Sequence, residues 1–96
     1  MTQATPDEIM RRLELAYEQA EAALESIRDE TAQALDAYRG LCRRAESALD
    51  PDAADAEAGQ AYSDYLELRR QIAGYERATE EALARLEYAR QEERDE

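Results

Sequence analysis

The chain contains no histidine, lysine, tryptophan or phenylalanine, one cysteine, two prolines and three glycines. Without histidine or lysine, the commonest general base and the Schiff-base nucleophile are both missing. Histidine-containing zinc sites and di-iron bundles built on Glu-x-x-His are excluded on the same ground. Glycine-rich phosphate loops are absent. Cys42 is alone, so no intrachain disulfide exists, and with no histidine it cannot form a Cys-His pair. These absences point away from catalysis, and neither a cofactor nor a metal is expected. No segment approaches the ~20 consecutive apolar residues of a transmembrane helix. The start of the chain, Met1 to Glu8, has neither a basic region nor an apolar stretch, so a signal peptide is not expected and the sequence reads as cytoplasmic.

What remains is rich in Ala, Glu, Arg and Leu, all strong helix formers. Of 96 residues, 44% are hydrophobic and 38% charged. Much of the apolar share is Ala, which can build a thin seam between helices and not a thick core. Twenty-four acidic residues stand against twelve basic ones, giving a net charge of -12. All the basic residues are Arg, a bias that fits either a GC-rich genome or a high-salt source. Contact with a nucleic-acid backbone or an anionic membrane is disfavoured, since both need clustered cations.

The first helix opens at Thr5-Pro6-Asp7-Glu8, a capping box with proline at the first helical position. A 3-4 spacing then runs through Met10, Leu13, Tyr17, Ala20, Leu24, Ile27, Thr31, Ala34, Tyr38, Leu41, Ala45 and Ala48. Such a sustained repeat predicts a coiled-coil seam. Asp50-Pro51 stops it, because proline disfavours helical geometry in the residue before it. The second helix repeats the spacing at Ala58, Ala61, Tyr65, Leu68, Ile72, Tyr75, Thr79, Ala82, Leu86 and Ala89. The expectation is one all-α domain over residues 1–96, an antiparallel two-helix coiled-coil hairpin. Helix 1 spans about 6–49, the tip 50–54 and helix 2 about 55–93, with the last residues frayed. Folding about Ala53 sets Tyr38 against Leu68, Leu41 against Tyr65 and Ala20 against Leu86. The hairpin would be roughly 60 Å long.

Several apolar residues flank the seam: Ile9, Ala16, Ala23, Leu35, Cys42 and Leu49 on the first helix, Tyr62, Leu66, Ala73 and Leu83 on the second. They widen the apolar face beyond a two-stranded seam, which predicts a further partner. Two hairpins could pair into a four-helix bundle, or one hairpin could dock on another protein with a basic surface. Tyr62 and Tyr88 lie off the seam and suit a contact with a partner. The expected partner-binding set is Leu35, Cys42, Leu49, Tyr62, Leu66, Leu83 and Tyr88. Cys42 reads first as a small hydrophobe and second as a redox link between two copies.

The tip concentrates charge. Asp50, Asp52, Asp55 and Glu57 carry -4 over eight residues, while residues 1–49 and 58–96 each carry -4 of mixed sign. Helix capping and the positive N-terminal dipole account for most of this. An EF-hand does not fit, because the loop lacks its Gly and its later bidentate Glu. The stretch Asp50-Pro51-Asp52-Ala53-Ala54-Asp55-Ala56, with Leu66-Glu67-Leu68-Arg69 beyond it, resembles the tip of the acidic coiled-coil factors that enter the RNA polymerase secondary channel. That likeness covers about twenty residues and implies that Asp52 and Asp55 approach a catalytic metal in the partner. The hairpin with Tyr88-x-x-x-Glu92 is similar to type VII secretion substrates, without their Trp-x-Gly turn. The leading expectation is thus a non-catalytic interaction or assembly module. A small acidic regulator or inhibitor, acting by nucleic-acid mimicry or by tip insertion, is the alternative, and a secreted helical hairpin is a further one.

Overall fold

The computed structural model describes residues 5–95, with side chains to residue 94. The expectation for residues 1–4 of the N-terminal segment, and that for Glu96 in the C-terminal one, lie outside these. Two helices packed against each other make up the chain: α1, Pro6–Ala45, and α2, Pro51–Asp95. No strand occurs among the described residues, and the fold is an all-α helical hairpin.

Each helix starts as its sequence dictates. At α1 the Thr5 hydroxyl accepts from the Glu8 amide at 3.2 Å, and the Thr5 amide donates to the Glu8 carboxylate at 3.4 Å. This is the reciprocal capping box, with Pro6 in the first turn. At α2, Asp50 Oδ1 accepts from the Ala53 amide at 3.3 Å, and Pro51 takes the position that Pro6 takes in α1. Arg43 and Arg44 sit in the last turn of α1, facing its negative dipole end.

The turn differs from expectation. α1 stops at Ala45, not near residue 49, and its end tightens through Ser47 N–H to Arg44 O and Ala48 N–H to Ala45 O. The physical reason is the role of Pro51. Because it opens α2 and Asp50 caps it, the reversal is pushed back into residues 46–50. A connection of this size fits two antiparallel neighbours. At the other end α2 stays helical through Asp95 where fraying was expected, carried by Glu and Arg, which are good helix formers.

The described residues form two compact units, one up to Glu25 and from Gly74, the other Ser26–Ala73. In the first unit, Leu24 and Leu86 are buried, and the Thr79 hydroxyl donates to the Ala20 carbonyl at 3.3 Å and to the Tyr75 carbonyl at 2.9 Å. Glu14 and Arg90 approach at 3.9 Å, an exposed pair of little energetic weight. In the second unit, Ile27 and Ala58 are buried, and buried Thr31 satisfies its hydroxyl on the Ile27 carbonyl at 2.6 Å.

Of the expected seam positions, all but Tyr75 are buried or half-buried; Tyr75 is 38% exposed. The stripe is therefore right and the pairing across it is not. Tyr38 meets Tyr62, with ring centroids 5.1 Å apart, and Leu68 lies about 9 Å further along α2 at 1.5 Å per residue. The Thr79 contact to Ala20 likewise replaces the expected Ala20–Leu86 pairing. Moving the turn from 50–54 to 46–50 moves the fold point with it, and every partner shifts along the helix.

Candidate interaction surface

Heptad arithmetic places Leu35 and Cys42 on one flank of α1, seven residues apart. Tyr62, with Leu66 four residues on, occupies the flank of α2 in the same unit. The structure brings these stripes together through their aromatics. Tyr62 stands between Tyr38 at 5.1 Å and Tyr65 at 6.3 Å, with rings tilted by 43° and 38°. Both geometries fall in the favourable range for tilted aromatic pairs. The neighbouring Cys42 thiol raises the Tyr38 pKa above 10.0, helped by desolvation and by Tyr62. Leu35, Tyr38, Cys42, Tyr65 and Leu66 are half-buried, and Tyr62 is 43% exposed. The face is apolar, and neither helix of the hairpin covers it completely.

Leu49 lies elsewhere than expected. Since α1 ends at Ala45, Leu49 belongs to the connection and is fully exposed, at 106%. Leu83 and Tyr88 belong to the other unit. Leu83 is half-buried in a groove with Tyr17, Leu86, Arg90 and the carboxylates of Glu14, Glu18 and Glu21. There the Glu21 carboxylate raises the Tyr17 pKa, helped by desolvation. Tyr88 is 64% exposed, and the Glu92 carboxylate raises its pKa.

The acidic tip divides by role. Asp50 caps α2 and Asp52 sits in its first turn, where a negative charge complements the dipole. Asp55 lines a shallow recess with Cys42, Ala45, Glu46 and Ala58, and Glu57 is exposed. Among the described residues no group of three or more carboxylate or thiol side chains is placed to hold a metal ion. No helix there is long and apolar enough to cross a membrane.

Tyr38 and Tyr65 were assigned to the seam, and their share in the exposed aromatic cluster escaped the sequence reading. Their contacts with Tyr62 depend on the corrected register. No protein family, curated protein or solved structure matches the chain.

Proposed function

We propose that this chain is a non-catalytic protein–protein interaction and assembly module that works in the cytoplasm. Its partner is a protein, a second copy of itself or one with a basic surface, and not a nucleic acid or a membrane. The supporting observation is the surface left over after folding. Among the described residues only Leu24, Ile27, Thr31, Ala58 and Leu86 are buried. None of the described residues falls below 2% exposure. Tyr62, beside half-buried Leu35 and Leu66, marks where a further layer gains most.

The experiment is site-specific photo-crosslinking in the native host. A photoreactive phenylalanine analogue at Tyr62 is expected to give one dominant crosslinked species, and the same probe at exposed Arg77 none. Absence of a discrete product from position 62 overturns the reading.

A further inference from the structure

Exposed and half-buried side chains of the 26–73 unit form a face whose charge differs from that of the rest of the chain. On α1 the flank stripe runs Arg28, Leu35, Cys42 at intervals of seven, with Arg39 four residues beyond Leu35; Glu46, the first residue of the connection, lies four beyond Cys42. On α2 it runs Asp55, Tyr62, Arg69 at intervals of seven, with Asp52 and Leu66 on the adjoining row. Three arginines thus face three carboxylates in number, and the face is neutral on a chain of net charge -12. All six charged residues are exposed, and among the described residues none of them makes an ion pair.

The charges are also ordered. Arg28 lies about 13 Å from Ala37 at 1.5 Å per residue, and Glu46, one residue past the end of α1, lies about as far to the other side. Asp55 and Arg69 lie equally far from Tyr62, about 10 Å to either side. The two mirror points share one level, because the Tyr38 and Tyr62 rings are 5.1 Å apart. A surface with positive charge at one end, negative at the other and an apolar centre is complementary to itself after a two-fold rotation.

We infer that a second copy of this chain covers the Tyr38–Tyr62 face, packed antiparallel about a two-fold axis at the level of that tyrosine pair. The inference rests on the assembly reading above and specifies its partner. Each α1 lies against the partner's α1, which sets Arg28 against the partner's Glu46. Each α2 lies against the partner's α2, which sets Asp55 against the partner's Arg69. Tyr62 meets its own copy at the axis, and Leu35 packs on the aliphatic stem of the partner's Arg39. The opposite orientation, tips together, stacks like charges at both ends and is disfavoured. Cys42 falls about 15 Å along the axis from its copy, beyond the reach of a disulfide.

Sedimentation velocity on the full chain from 1 to 200 µM tests the inference, with helicity followed by circular dichroism. The wild type is expected as a dimer. Arg28→Glu with Arg69→Glu is expected to keep its helicity and weaken association at least tenfold. Adding Glu46→Arg and Asp55→Arg to that variant exchanges both signs and is expected to restore the dimer. Oxidation of the wild type is expected to give no disulfide-linked dimer on a non-reducing gel. A wild-type monomer at 200 µM, a dimer indifferent to the double reversal, a full exchange that fails to restore it, or a Cys42-linked dimer each overturns the proposal. A discrete crosslink from Tyr62 to a different protein would overturn it too, while leaving the assembly reading intact.

Discussion

Replacing Tyr38 by Leu removes an aromatic edge from Tyr62 while keeping an apolar side chain and good helix propensity. The pair has centroids 5.1 Å apart and planes at 43°, and contacts of this kind contribute about 0.5–1.5 kcal/mol beyond area burial. Tyr62 is 43% exposed, so the lower half of that range applies. A double-mutant cycle of Tyr38→Leu and Tyr62→Leu, measured by urea unfolding, should give a coupling of about 0.5–1 kcal/mol. The same cycle with Tyr38→Leu and Leu68→Ala should be additive within about 0.3 kcal/mol, because Leu68 lies well over a helical turn beyond Tyr62. Midpoints must be read where they no longer change with protein concentration, so that chain association does not enter. Coupling concentrated in the Tyr38–Leu68 cycle would restore a fold point near Ala53 and refute the register.

Leu86 is 3% exposed, and Leu86→Ala should cost about 2–3 kcal/mol, the low end for a buried leucine because so thin a core lets neighbours close in. For a domain of this size that lowers Tm by roughly 10–20 °C, whereas Tyr75→Ala, at a seam position left 38% exposed, should cost under about 1 kcal/mol; calorimetry showing equal losses would mean that Tyr75 is core after all. Absorbance titration at alkaline pH should find the Tyr88 pKa above 10.0 and falling towards it in Glu92→Gln, since Glu92 is the main cause of the rise. The raised values of Tyr17, Tyr38 and Tyr88 mean that the folded chain holds those protons more tightly than the unfolded one. Their contribution to stability is complete below pH 10 and is lost as pH rises through the folded values, so melting temperatures should decline in that window.

The stripes were legible because burial in a two-helix seam depends on periodicity alone, and seven-residue spacing survives any shift along the axis. The pairing was not, because it depends on the residue at which the chain turns. Asp50-Pro51 carried two readings, the end of one helix or the start of the next. Thr5-Pro6 opens α1 with the same chemistry, a side-chain oxygen before proline accepting from an amide three residues on. Reading Asp50-Pro51 by that precedent places the turn at 46–50. Leu49 was misplaced for the same reason, since a flank position requires the helix to reach it. The residues near Tyr62 that are proposed to bind a partner were recognisable as apolar positions beside the seam. Their assembly into one aromatic face with Tyr38 and Tyr65 needed the true register.

The folding chemistry also weighs the tip against the face. Asp50 is engaged by the Ala53 amide, and Asp52 lies where an N-terminal dipole favours an anion. Their charge is accounted for by starting a helix after a tight reversal, which leaves little at the tip that folding does not explain. The same reasoning applied to Tyr62 gives the opposite result. A large aromatic on an exposed flank costs solubility and adds little to a seam it only borders.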